Sequence, residues 1–355
     1  MRLLVTGICG FVGSALARCF LELIDGIEIL GVDSLIRPGS ELNRQSLPKI
    51  GCKIFYGDVR SPSDLDQLPP VDWVIDAAAN PSVSAGVDGL ASSRQVVEHN
   101  LLGTINILEY CRRYSAGLVL LSTSRVYSIS ALGSLALIRM ANRFEPDVTG
   151  LLPVGISARG IAEDFSIDQS LHSLFGASKI AGDVLVQEYG RYFNIPTCCL
   201  RGGCLTGPNH AGVELHGFLS YLVKTNLEHR LYKVFGYKGK QVRDNIHAHD
   251  VASFIHQFAL APRVAEVYNL GGGKNNACSI LEAFEITAGI TGKKMRYEYV
   301  DQNRTGDHIC YYSDLRKMHA HYPQWSVTKP LKKIFEEIVQ GWVKRSSFAS
   351  APCAS

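Results

Sequence analysis

The sequence predicts an α/β protein built on a doubly wound parallel sheet, with a smaller C-terminal lobe. Two observations carry this. Apolar runs of strand length alternate with helix-patterned segments through the first half of the chain, and strands separated by crossover helices form parallel sheets. A glycine spacing, Gly7-Ile8-Cys9-Gly10-Phe11-Val12-Gly13, directly follows the first run and opens the first helical segment.

Leu3–Thr6 reads as a strand, Gly13–Leu23 as a helix, and Ile27–Val32 and Lys53–Tyr56 as strands. Trp73–Ala77 and Gly117–Ser122 continue the series, with an amphipathic helix from Ser93 to Tyr114 between them. The segment Ile129–His172 is irregular yet carries Leu, Ile and Phe throughout. An elaborated connection over a ligand site is therefore expected there, rather than a linker. A helix follows over Ala177–Tyr192. Glycine-rich turns at 202–207 and 271–273 and helices over Val251–Leu260, Ser279–Gly289 and Pro330–Val343 complete the chain. The expected division gives residues 1–185 and 240–262 to the sheet domain and residues 186–239 and 263–345 to the lobe. Residues 346–355, small and polar, read as a flexible tail.

Composition narrows the class. With 46% apolar and 19% charged residues in 355, the chain has ample material for a core. A net charge of +3 argues against a nucleic-acid partner. Ten cysteines without a CxxC pair read as reduced thiols in a cytoplasmic protein, and no metal site is expected. Met1–Val5 superficially looks like a leader, but glycines interrupt the apolar stretch. No apolar run approaches the roughly 20 residues that span a bilayer, so a membrane is not expected as a partner.

The glycine spacing has a chemical reading. The first glycine permits a tight turn, the second lets backbone approach a pyrophosphate, and the third lets helix and sheet pack closely. The helix N-terminus adds N–H donors and a favourable dipole. Asp33 ends the second strand, where a carboxylate accepts from adenosine ribose hydroxyls and repels a 2′-phosphate. This is a Rossmann arrangement, and NAD is expected over NADP, with Arg37 the one nearby residue that argues the other way. Asp58, in Gly57-Asp58-Val59, can reach an adenine amino group or serve as an ordinary turn aspartate.

Several further motifs follow in a fixed order: Ala77-Ala78-Ala79, Asn100-Leu101-Leu102-Gly103-Thr104, Ser122-Thr123-Ser124-Arg125-Val126-Tyr127 and Leu174-Phe175-Gly176-Ala177-Ser178-Lys179. With the glycine loop and Asp33, they resemble the extended short-chain dehydrogenase/reductase superfamily across most of the chain. The narrower likeness is to the CDP-tyvelose (CDP-paratose) 2-epimerases, through Asp33–Ser40, Ser124–Ser128 and the long segment before Lys179. The resemblance implies cofactor contacts from Gly7, Gly10, Phe11, Val12, Gly13, Asp33, Ser34, Asp58, Val59, Ala77, Ala78, Ala79, Asn100, Ser122 and Lys179.

The superfamily's active site pairs a Ser or Thr with a Tyr and a Lys four residues beyond it. Thr123 and Lys179 match; the tyrosine position holds Phe175. A phenol beside an ammonium and a nicotinamide cation is acidified and can take a proton from a sugar hydroxyl. Phenylalanine has no proton to move. Three accounts compete: an inactivating Tyr→Phe exchange, which leads; a rerouted base, with Tyr127, His172 or Ser173 as candidates; and a binder that keeps NAD without turnover.

The resemblance also implies substrate contacts from Asn80, Ser124, Arg125, Arg201, Gly202, Arg243 and Arg304. Arg243 and Arg304 are the diphosphate candidates, since guanidinium matches phosphate oxygens bidentately. Asp250 reads as the cap of the helix after it. In the family's 4,6-dehydratases an Asp–Glu pair follows the threonine; Ser124-Arg125 stands here, which favours epimerisation. The implied reaction is redox-neutral: a sugar carbon gives hydride to NAD⁺ and receives it on the opposite face. C2 of a CDP-dideoxyhexose leads, with C4 of a UDP-hexose as competitor. A homodimer through a four-helix bundle is the implied assembly.

Overall fold

The computed structural model describes residues 1–349 apart from 84, 87, 88, 90, 215, 216 and 304–307. Arg304, an expected substrate residue, lies outside the described residues.

The strands, in chain order, are β1 (Arg2–Thr6), β2 (Glu28–Asp33), β3 (Lys53–Tyr56), β4 (Trp73–Asp76), β5 (Gly117–Thr123), β6 (Leu137–Arg139), β7 (Phe144–Pro146), β8 (Ile156–Ser157), β9 (Gly160–Ile161), β10 (Thr197–Gly202), β11 (Cys204–Thr206), β12 (Leu231–Phe235), β13 (Val242–His247), β14 (Glu266–Leu270), β15 (Ala277–Ser279) and β16 (Arg296–Val300). The helices are α1 (Phe11–Leu23), α2 (Ser40–Ser46), α3 (Pro62–Asp66), α4 (Ser93–Val97), α5 (Gly103–Tyr114), α6 (Ile129–Gly133), α7 (Ser173–Phe193), α8 (Phe218–Leu227), α9 (Ala248–Leu260), α10 (Ile280–Thr291), α11 (Arg316–His321) and α12 (Leu331–Ala349).

A seven-stranded sheet in the order β3-β2-β1-β4-β5-β10-β14, parallel throughout, forms the centre. Strand alternation sorts its side chains onto two faces. Leu3 and Val5 of β1 join one core with Phe20 of α1 and Phe254 and Phe258 of α9. Leu4 between them joins the opposite core with Ile107 of α5 and Val186 of α7. Burial on both faces explains why these strands read as continuous apolar runs. The order reverses between β1 and β4, so a crevice opens at the carboxyl ends of those strands. There Thr6 Oγ1 donates to Asp76 Oδ1 (2.7 Å) and accepts from the amides of Ala77 and Ala78.

The lobe has its own core, in which α8, α10 and α12 pack with Tyr232 and Val234 of β12. Three expectations need correction. β10 and β14 belong to the central sheet, although the sequence reading put both in the lobe. The segment after β5 reaches the cavity described below only at its end, at Leu171, while its two short hairpins bond elsewhere: Phe144 N donates to Lys240 O, and Ile161 N to Tyr312 O. His247, not Asp250, caps α9, its Nδ1 accepting from His249 N at 3.0 Å. Asp250 is buried and accepts instead from the amides of Thr328 and Lys329.

Candidate active site

The glycine loop lies at the mouth of the crevice. Gly7 adopts φ +61°, a left-handed conformation open to glycine at little cost. A Cβ on Gly13 would lie 2.4 Å from Gly7 O, so helix and loop touch with no room for a side chain. Gly10 caps α1 without a side chain of its own, which leaves first-turn N–H groups directed at the crevice. The Asp33 carboxylate braces this loop, accepting from Cys9 N and Leu35 N at 2.8 Å each. Asp58 lies further along the same wall, where the Arg60 guanidinium (2.6 Å) holds its carboxyl below the usual range.

The expected catalytic positions converge from two elements. Thr123 ends β5, and its Oγ1 accepts from Arg125 N at 3.2 Å. Phe175 and Lys179 sit in the first turns of α7, which starts with Ser173 at φ +60°. A Cβ on Gly176 would approach Arg125 O to 2.9 Å, so a glycine there lets α7 close on the turn after β5. Lys179 is buried and donates to Leu121 O at 3.1 Å. Burial pushes its ammonium pKa down, against the pull of Asp76. The Phe175 ring is buried and reaches the cavity wall.

Behind these residues, the helix preceding α5 contains a π-turn over Glu98–Leu102, a feature that recurs at functional sites. It points Asn100 at the loop after β4: Asn100 accepts from Asn80 N (2.8 Å) and donates to Asn80 O and Ser178 Oγ. Ser178 Oγ in turn donates to Phe175 O at 2.8 Å.

One cavity of about 940 Å³ joins the glycine loop, Asp33, Thr123, Ser124, Phe175 and Lys179 to Gly202 at the end of β10, Arg243 of β13 and Tyr232 of the lobe. Ser34, Val59, Ala77, Ala78, Ala79, Ser122 and Arg125 border it as well. Asn80, Asn100 and Arg201 do not. The two asparagines bond to each other behind the wall. Arg201 is buried in an ion pair with Asp183 and is not a substrate contact in this geometry. Two of the three alternative bases also fall outside the wall. Tyr127 is fully buried and donates to Asn269 Oδ1 at 2.6 Å. His172 turns Nδ1 to Arg125 O, while its Nε2 is buried. Ser173 does border the cavity.

Sequence reasoning missed several cavity residues: His210, Gln241, Asp244, Cys204 and Tyr311. Asp244 directly follows Arg243 in the chain, but nothing local marks it as buried. It accepts from Gly272 N (2.8 Å) and Ser313 N (2.9 Å), and burial pushes its carboxyl up to about 6. Among the described residues, no cluster of three or more His, Cys, Asp or Glu could hold a metal ion, and no helix is long and apolar enough to cross a membrane.

This arrangement can be set beside known proteins. The profile of the NAD dependent epimerase/dehydratase family matches residues 3–271. The chain belongs to that family. CDP-paratose 2-epimerase of Salmonella typhi is 28% identical over 90% of this chain and 92% of its own length. A dTDP-glucose 4,6-dehydratase of Escherichia coli K12 is 27% identical over 84% of this chain and 80% of its own. Among solved structures, a tyrosine-to-phenylalanine mutant of UDP-glucuronic acid 4-epimerase from Bacillus cereus, in complex with UDP-4-deoxy-4-fluoro-glucuronic acid and NAD, superposes with a TM-score of 0.77. It is 25% identical, covering 97% of this chain and all of that one. UDP-glucose 4-epimerase of Thermus thermophilus, at 24% identity and a TM-score of 0.75, shares the fold.

Proposed function

We propose that this member of the family is a nucleotide-sugar epimerase acting at C2 of a CDP-dideoxyhexose. The observation that carries the reading is the pair Ser124-Arg125 on the cavity wall directly after Thr123. Acid/base elimination of water needs a proton donor and an acceptor beside the sugar, and neither residue is a carboxylate. The 28% identity to a CDP-paratose 2-epimerase supports the choice of carbon.

The residues present fit a dinucleotide. The side-chain-free cradle of Gly7, Gly10 and Gly13 suits a pyrophosphate, and Asp33 at the end of β2 suits a ribose diol. NAD, when bound, supplies a hydride acceptor that serves as donor later in the same cycle. The chain's part is then positioning and proton control. Lys179, held by Leu121 O, would bind the nicotinamide ribose. Thr123 offers a hydroxyl to the reacting sugar oxygen, and Arg243 a guanidinium to the diphosphate.

Position 175 is where a hydroxyl would take the sugar's proton, and Phe175 cannot. Tyr127 and His172 lie off the cavity wall, so their substitution for that hydroxyl finds no support in the geometry, and Ser173 is the one of the three candidates that borders the cavity. With Thr123 and Lys179 both retained beside Phe175, we favour a site that is assembled but lacks its usual base. A UDP-hexose 4-epimerase is the second reading, favoured by the full-length superposition on a UDP-glucuronic acid 4-epimerase. A homodimer through α5 and α7 is part of the proposal: the two helices pack together, and α7 leaves Val184, Tyr192 and Phe193 exposed.

Calorimetry of the NAD-loaded protein with CDP- and UDP-hexoses tests the choice. Tighter binding of the CDP-sugar is expected. A clear preference for the UDP-sugar would turn the assignment to C4.

A further inference from the structure

Two rings bridge the cofactor loop and the lobe. Phe11, the first residue of α1, and His210, from the segment 207–217, stack face to face with centroids 4.0 Å apart and planes within 6°. Both border the cavity, and His210 is only 6% exposed. The imidazole occupies a slot that requires glycine opposite it. Gly217 has φ +76°, and a Cβ there would lie 2.5 Å from His210 Cε1 and Nε2.

The backbone around His210 is tied to the lobe's helices. His210 N donates to Gly207 O at 3.1 Å, and its carbonyl accepts from Ser220 Oγ of α8. That hydroxyl oxygen also accepts from Gly212 N (3.3 Å) and from Trp342 Nε1 of α12 (3.0 Å). Any shift of α8 or α12 relative to the sheet therefore moves the ring that lies on Phe11.

We infer that His210 is a latch: a positioning residue that fastens the lobe onto the glycine loop and couples nucleotide binding in the lobe to NAD retention. The stack buries the faces of both rings, and closely packed aromatic pairs contribute beyond simple burial. With the latch closed, the His210 ring covers Phe11, the first residue of the helix that follows the glycine loop. A nucleotide that steadies the lobe then holds the latch shut, and linkage makes the coupling reciprocal. The inference rests on the reading that the Gly7–Gly13 loop holds NAD.

The test is calorimetric titration of NAD into the whole protein, with and without saturating UDP or CDP, for the wild type, His210→Ala and His210→Phe. In the wild type, nucleotide should tighten NAD severalfold. His210→Ala should weaken NAD roughly two- to tenfold, the range for one aromatic pair, and bring the coupling close to one. His210→Phe, which keeps a ring in the stack, should restore both. An alanine variant equal to the wild type in affinity and coupling overturns the latch, and so does a phenylalanine variant as weak as alanine. Should His210→Ala fail to fold, His210→Leu removes the ring from the stack while filling its slot and carries the same test. A wild type without measurable NAD affinity would instead remove the reading of the loop itself, and the latch with it.

Discussion

Asp183 and Arg201 form a buried ion pair beneath the catalytic wall, with Arg201 NH2 2.9 Å from Asp183 Oδ1 and Nε 3.1 Å from Oδ2. Ser122 Oγ also donates to Asp183 Oδ2 at 2.8 Å, so the pair fixes the strand end that carries Thr123. The Arg201 guanidinium lies 5.3 Å from the centre of the Tyr127 ring. This arginine holds α7 to β5 and β10 instead of reaching for a phosphate.

Arg201→Ala is therefore expected to act on stability. Removing one partner leaves Asp183 buried without its cation, a change that costs on the order of 3–5 kcal/mol. Urea denaturation checks this. The double variant Asp183→Asn/Arg201→Met should recover part of the loss. An Arg201→Ala protein of unchanged stability that binds nucleotide-sugar poorly would return Arg201 to the substrate site.

Arg243→Ala should act on binding. Arg243 borders the cavity, which puts its guanidinium within the space a diphosphate would enter. Loss of charge-assisted hydrogen bonds predicts weakening by about 1.5–3 kcal/mol. Calorimetry with CDP- and UDP-sugars measures it, and unchanged affinity would place the diphosphate elsewhere.

NAD should bind more tightly than NADP. The Asp33 carboxylate is held by two amides at the end of β2, and a 2′-phosphate would meet its charge. Asp33→Ser should narrow the preference, all the more because Arg37 borders the same cavity. A wild type that prefers NADP contradicts this assignment.

Asp244 predicts a pH dependence. Burial raises its carboxyl from 3.8 to about 6, so the folded protein holds this proton more tightly than the unfolded chain does. Its contribution therefore favours folding at low pH and is lost as pH rises from about 4 to about 6, by on the order of 3 kcal/mol. Asp244→Asn lacks this titration. Although it also loses an acceptor for Ser313 N, its stability difference from the wild type should shrink as pH rises across that window. A difference that is flat or grows would remove the assignment.

What the sequence disclosed follows from how far each signal reaches along the chain. The strand, Gly7–Gly13 and α1 are legible because turn, cradle and helix start are set by residues within one short stretch. The spacing from Phe175 to Lys179 is likewise local, whereas Thr123 is tied to them only by order along the chain. Arg201 was misread because its partner lies on α7, and no spacing reveals that the two side chains meet. β14 was placed in the lobe because a strand between glycine turns carries no label for the sheet it joins. Asp250 has the composition of a cap, but the tertiary fold presents it to the amides of Thr328 and Lys329. His210 stacks on a residue nearly two hundred positions away, a contact without a sequence period.

The central claim is that the site is assembled around a missing hydroxyl at position 175. Phe175→Tyr tests it most directly, with epimer formation from CDP- and UDP-hexoses followed by NMR and NADH absorbance as a control. Thr123 and Lys179 border the same cavity as Phe175, so a phenol there would enter a site already equipped to acidify it. The account predicts a gain of at least the roughly 10²-fold that one general base supplies. Good turnover by the protein with Phe175, unchanged or reduced by the added hydroxyl, would contradict it, and no turnover in either form would leave a binder instead of an epimerase.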